Sequence, residues 1–250
     1  MKILLINPNT TQGLTDLLDA SARSVLPEGV TLDSVTAGTG VPYISTRSEA
    51  VVGGLSVLEI LAERHWDYDA AIIAAFGDPG LGAARELYDI PVVGLAEAGM
   101  LTACMLGGRF SIVTFAQALG PWYRECVDWH GLSGRCAGVS MLDGAFKSIS
   151  DVQEEKADLL VDLANRAIEE DQSDVIVLAG APLSGLAPKV RDRIPVPVVD
   201  CAQAAIRQAA TLAALGPVGA RRGSFARPAA KDSIGLSPAL AARIAHEDTA

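Results

Sequence analysis

The sequence predicts an α/β protein made of two similar doubly wound lobes, each holding a mainly parallel four-stranded sheet. Three observations lead there. Short apolar runs alternate with helical patterns along the chain, the signature of parallel strands joined by helical crossovers. Half of the 250 residues are apolar and only 5% are aromatic, so the core is large and built mostly of Ala, Val, Leu and Ile. Finally, the chain repeats itself: Lys2 to Asn7 reads like Arg109 to Thr114, Asp69 to Ala75 like Asp174 to Gly180, and Ile90 to Ala98 like Val196 to Ala204. Three matches in one order at nearly one offset define two pseudo-twofold-related lobes, 1–98 and 99–206, with 207–250 assigned to the first. The site is expected in the cleft between them.

Taken in order, the strands are predicted near 2–7, 31–36, 69–75, 91–95, 109–114, 136–141, 174–180 and 196–200. Ser150-Asp151 opens an amphipathic run through Glu170. Ser237-Pro238 supplies an N-cap followed by proline at the first helical position, where its missing N–H costs nothing.

Thirty acidic against twenty basic side chains leave a net charge of −10, which repels a phosphate backbone and argues against a nucleic-acid partner. The basic cluster of Arg221, Arg222, Arg227 and Lys231 lies among Gly, Pro and Ala and reads as a solvated linker. Only Ile3 to Ile6 separate Lys2 from Asn7-Pro8-Asn9, too short an apolar stretch for a signal sequence, and no window is long enough to span a membrane. Cys104, Cys126, Cys136 and Cys201 form no CxxC pair and have no histidine at metal spacing, which fits a reduced cytoplasm and no metal. His65, His130 and His246 fall near predicted helix ends and read as isolated surface or packing residues.

Ligands of open parallel sheets bind beyond the carboxyl ends of the strands, where turns and helix starts leave backbone N–H groups free for a carboxylate or a developing enolate. That rule selects Asn7 to Thr11, Phe76 to Gly80, Thr114 to Ala116 and Ala181 to Gly185. The same residues also suit turns and caps: Asn7, Thr10, Asp78 and Ser184 are good capping types, and Asp78 could cap a helix starting at Pro79. In the loop from Gly40 to Arg47, Tyr43, Ser45 and Arg47 could reach a substrate. Arg47 could equally pair with Glu49 or another surface acid. Trp122 and Tyr123 could form an aromatic wall or belong to the core.

The runs INPNT at Ile6 to Thr10, AAFGDPGLGAARE at Ala74 to Glu86, PVVGLAEA at Pro91 to Ala98, FSIVTF at Phe110 to Phe115 and LAGAPLSGLA at Leu178 to Ala187 resemble the aspartate/glutamate/hydantoin racemase superfamily, especially its hydantoin and allantoin racemase branch. The resemblance covers nearly everything before about residue 215. It implies a two-lobed fold with a cleft, no organic cofactor or metal, and inversion at an acidic carbon beside a carboxylate or ring carbonyl. It also implies two cysteines on opposite faces of the substrate. The corresponding positions here are Ala75 and Gly180, and neither can carry a proton. Cys104 in mid-helix, Cys126 in a helical stretch, Cys136 at a strand start and Cys201, which aligns with Leu95, do not replace them.

The resulting expectation is a cofactor-independent enzyme, working as a homo-oligomer, on a small carboxylate or cyclic ureide. It would stabilise negative charge beside a carbonyl without a two-thiol mechanism. Asn7, Thr10, Thr114 and the backbone of Phe76, Gly77 and Asp78 and of Ala181, Pro182 and Leu183 would hold that charge. Tyr43, Arg47, Ala75, Phe115 and Gly180 would contact the substrate, and Asp78 would be the general acid/base. A hydrolase or decarboxylase on the same scaffold, as related arylmalonate decarboxylases with a single cysteine suggest, and a non-catalytic small-anion binding protein are the alternatives.

Overall fold

The computed structural model describes residues 1–143 and 149–248. The first half runs β1 (Lys2–Asn7), α1 (Gln12–Arg23), β2 (Thr31–Thr36), α2 (Arg47–Arg64), β3 (Ala70–Ile73), α3 (Leu81–Leu87), β4 (Val92–Gly94) and α4 (Leu95–Leu106). The second half repeats the plan with β5 (Phe110–Thr114), α5 (Gly120–Trp129), β6 (Cys136–Met141), α6 (Val152–Asp171), β7 (Val175–Leu178), α7 (Ala187–Val190), β8 (Val198–Asp200) and α8 (Cys201–Leu215), before a terminal α9 (Pro238–Ala245). The sheets have the same order, β2-β1-β3-β4 and β6-β5-β7-β8, and every strand pairing among the described residues is parallel. All eight expected strands are present, and the repeat in sequence is a repeat in topology.

Parallel strands covered on both faces become apolar without alternation, and β1 shows how one such run serves two cores. Ile3 and Leu5 face the large core that joins the two sheets, whereas Leu4 and Ile6 face a second core with Leu61, Leu81, Tyr88 and Leu240. Where α2 starts, Thr46 accepts from the Glu49 amide while the Glu49 carboxylate accepts from the Thr46 amide, a reciprocal cap. At α9 the expected cap forms: the Ser237 hydroxyl accepts from the Leu240 amide, with Pro238 in the first turn.

The helices at the centre are exchanged. α4 follows the first sheet but packs against β7 and β8, and α8 follows the second sheet but packs against β3 and β4. The divisions at 98/99 and 206/207 therefore fall inside two helices that each half lends to the other. The last helix packs against α2, held by Arg243, which donates to the Leu87 carbonyl and pairs with Asp248 at 2.5 Å. Arg227 of the basic cluster also binds Asp248, at 2.6 Å, so this one cation is structural rather than solvated.

Candidate functional site

The carboxyl ends of β3 and β7 face one small cavity between the lobes. Its wall consists of Asn9, Leu14, Tyr43, Ile44, Ala75, Phe76, Tyr123, Gly180, Ala181 and Pro182. Six of the residues expected from the sequence meet there: Tyr43, Ala75, Phe76, Gly180, Ala181 and Pro182. Water-sized contents have about 20 Å³, room for about one water molecule, so the cleft is closed.

Backbone geometry prepares the cavity for negative charge. The amides of Phe76, Gly180 and Ala181 donate to no other described residue, placing free N–H groups at both strand ends. Gly180 has φ 111° and ψ 140°, a conformation only glycine holds comfortably, and a Cβ there would lie 2.8 Å from Phe115 Cε1 and 3.3 Å from the Tyr123 hydroxyl. The Tyr123 phenol thus stands beside the place a side chain at 180 would occupy.

Two phenols are the titratable groups of this wall. Burial pushes the Tyr123 hydroxyl well above its ordinary value, with Tyr43 nearby acting in the same direction and Thr114 against it. Burial likewise raises Tyr43, whose hydroxyl is enclosed without a hydrogen-bond partner. Both remain neutral donors at physiological pH. Tyr43 reaches the site from the loop between β2 and α2 and packs on Phe115 with ring centroids 6.1 Å apart.

The other expected residues do not line this cavity. Asn7 is fully buried, and its amide donates to Asn9 Oδ1, the Thr11 carbonyl and Thr15 Oγ1, organising the turn that presents Asn9. The Thr10 amide donates to the Val41 carbonyl, tying that turn to the Tyr43 loop. Thr114 donates to the Ala179 carbonyl, and Phe115 and Leu183 are buried supports. Arg47 is exposed and forms a two-point ion pair with Glu125, so its partner is a surface acid on α5 and not Glu49 or a cavity ligand.

Asp78 is the largest correction. Its Oδ1 accepts from the Ala96 amide at 2.8 Å and its Oδ2 from the Glu97 amide at 2.9 Å, so it caps α4 rather than a helix beginning at Pro79. Capping across the fold requires Asp78 in the left-handed region, at φ 48°, and a glycine at 94, where any side chain would collide with the Asp78 carboxyl. Gly77 and Asp78 open instead onto an outer groove of about 700 Å³ between α2, the β3–α3 turn and α5. The acid/base role expected of Asp78 has no place in the interlobe cavity.

His130, expected to stand alone, donates or accepts through Nε2 at 2.9 Å from Asp78 Oδ2, and its Nδ1 lies 3.8 Å from Glu97 Oε1. With Cys126 it completes a cluster whose three donor atoms all lie within 4.8 Å of one another. Burial, reinforced by the Asp78 charge, drives the Cys126 thiol far above its usual value, so it is no nucleophile as it stands.

The family model for Asp/Glu/hydantoin racemase matches residues 3–209. This chain belongs to that family. The racemase-family chain is 32% identical to the hydantoin racemase of Paenarthrobacter aurescens over 236 residues, covering 94% of this chain and 100% of the relative. Its fold superposes on the allantoin racemase from Klebsiella pneumoniae with a TM-score of 0.90, at 34% identity and covering 96% and 98% of the two chains. The corresponding values for the allantoin racemase from Pseudomonas fluorescens are a TM-score of 0.85, 32% identity, 94% and 100%. The family member is thus a racemase-like isomerase in fold and ancestry. Among its described residues no helix is long and apolar enough to cross a membrane.

Proposed function

We propose that this protein binds a small cyclic ureide or carboxylate in the interlobe cavity and stabilises negative charge beside its carbonyl, without cofactor and without a thiol pair. One observation carries the reading: Ala75 and Gly180, at the ends of β3 and β7, share one cavity with free backbone donors from both halves and two neutral phenols. The amides of Phe76, Gly180 and Ala181 stabilise the developing enolate oxygen, an interaction that strengthens as charge appears and so acts on the transition state. Tyr123, a neutral phenol on the same wall, donates a hydrogen bond to the developing charge. Because the closed cavity holds little more than a water, admission of substrate requires the β2–α2 loop carrying Tyr43 and Ile44 to move, and reclosure excludes solvent.

The similarity to hydantoin and allantoin racemases supports a five-membered ureide as the first substrate to try. Single enantiomers of 5-substituted hydantoins and of allantoin, incubated in deuterium oxide, should lose optical rotation and gain deuterium at the stereocentre. Tyr123→Phe should lower the rate by about 100-fold or more, the usual value of a donor aimed at developing charge. A second reading follows from the same wall, which offers proton donors and no ionised base: decarboxylation generates a carbanion without proton abstraction. Release of CO₂ from an α-carboxylated substrate, with no deuterium exchange into hydantoins, would select it. Ligand-dependent thermal stabilisation with neither signal would identify a binding protein and refute catalysis.

A further inference from the structure

We propose that Asp78, Cys126 and His130 form a binding site for a divalent transition metal of the zinc class, separate from the interlobe cavity. The three donors come from two elements, Asp78 from the β3–α3 turn and Cys126 and His130 from successive turns at the end of α5. Carboxylate, thiolate and imidazole together are a donor set suited to zinc, and a thiolate with a carboxylate supplies two negative charges for a dication. Tetrahedral zinc, with bonds of about 2.0 Å to N and O and 2.3 Å to S, needs ligand atoms roughly 3.3–3.5 Å apart, so the His130–Asp78 pair at 2.9 Å opens by about half an ångström and the wider spacings, 4.8 Å at most, close by about 1.5 Å or less.

The surroundings fit the same assignment. The side chains of Asp78 and His130 are only 1% and 6% exposed, so a bound ion is shielded from water on the protein side. With Nε2 on the metal, Nδ1 lies 3.8 Å from Glu97 Oε1, a carboxylate placed to accept from it after a small approach; Glu97 is itself held by Arg85 at 2.5 and 2.9 Å. Each Asp78 oxygen already accepts one amide and retains a second lone pair. Asp78 and Cys126 both line the outer groove, which leaves the fourth coordination position open to a water or an incoming ligand.

The test is titration of the chelator-treated protein with Co²⁺ and then Zn²⁺. One equivalent of Co²⁺ should bind with tetrahedral d–d bands and a thiolate-to-cobalt charge-transfer band, and one equivalent of Zn²⁺ should abolish both. Cys126→Ser should lose the charge-transfer band. Glu97→Gln should keep it while weakening affinity by about 10–100-fold, as expected of a positioning residue. In the unaltered chain Zn²⁺ should raise the unfolding midpoint and excess chelator should reverse the shift, a reading that stands even if Cys126→Ser does not fold. Absence of both the thiolate band and the midpoint shift, or a thiolate band unchanged in folded Cys126→Ser, would overturn the site.

Discussion

The two halves of the chain close the N-terminus of their last helix with residues that do not correspond. α8 is capped by its own N-cap, Asp200, whose carboxylate accepts from the Ala202 and Gln203 amides and is further satisfied by the Gly185 amide and the Ser21 hydroxyl. At the matching place α4 begins after Gly94, and its cap reaches over from the turn behind β3 as Asp78. The contrast teaches that equal topology leaves open which residue performs a given task. Both caps are buried and both border a groove, but the cap of the helix's own is held by the Gly185 amide and the Ser21 hydroxyl, whereas the cap lent by an adjacent turn lies next to His130 and Cys126.

The contrast predicts unequal losses. Asp78→Ala removes one partner of a buried polar cluster and should destabilise by about 3–5 kcal/mol, against about 2–3 kcal/mol for Asp200→Ala, where hydrogen bonds to a charged cap are lost. Urea unfolding of the two variants measures this, and equal or reversed losses would break the comparison.

The halves were legible in the sequence because a run such as KILLIN has one physical use, a strand covered on both faces, and because its counterpart FSIVT recurs in the same order. The strand-end turns followed from topology, which is why Ala75, Phe76, Gly180, Ala181 and Pro182 could be expected together, and they line one cavity. What failed was the aim of individual side chains. Asp78 precedes a helix in sequence and caps another 18 residues on, and His130 meets it across 52 residues, a contact set by the return of α5 and invisible to local spacing. Asn9 gave a signal only as part of the Asn7 to Thr11 turn, and Leu14 and Ile44 gave none beyond being near a turn. Tyr123 gave an ambiguous one, and it proved to be both core and cavity wall.

A helix packed on the first half, α9, has no counterpart on the second among the described residues, and its anchor should titrate. Burial opposes ionisation of Asp248, yet the guanidiniums of Arg243 and Arg227 hold its carboxyl below the ordinary value. A lowered carboxylate contributes fully above its unfolded value near ~4 and is lost as pH falls through the lower folded value. Asp248→Asn should therefore cost about 1.5–3 kcal/mol at pH 7, with variant and wild type converging in acid. A difference that persists undiminished at low pH would show that Asp248 acts other than through its charge, and no difference at pH 7 would show that α9 is held by its apolar face alone.

Smaller effects sharpen the contrast between the two strand ends. Gly180→Ala forces a Cβ into a glycine-only conformation and against Phe115, and should cost about 1–3 kcal/mol, while Ala75→Cys should stay within about 1 kcal/mol. Calorimetric midpoints would reveal it, and matching midpoints would mean that the second turn relaxes freely. The least change is expected at the two phenols. Tyr43→Phe deletes an enclosed hydroxyl without a partner and should stabilise the ligand-free protein by up to about 1 kcal/mol. Tyr123→Phe, next to Thr114, should bring no such gain.

Because α4 lies on the sheet of the second half and α8 on the sheet of the first, neither half is a closed body by itself. A polypeptide of half this length would bare the oily side of its final helix and could hide it only by trading that helix with an identical neighbour. The molecule therefore has the build of a swapped pair of twins joined into one strand, and the twins are not identical: one has a glycine where its sibling holds an aspartate.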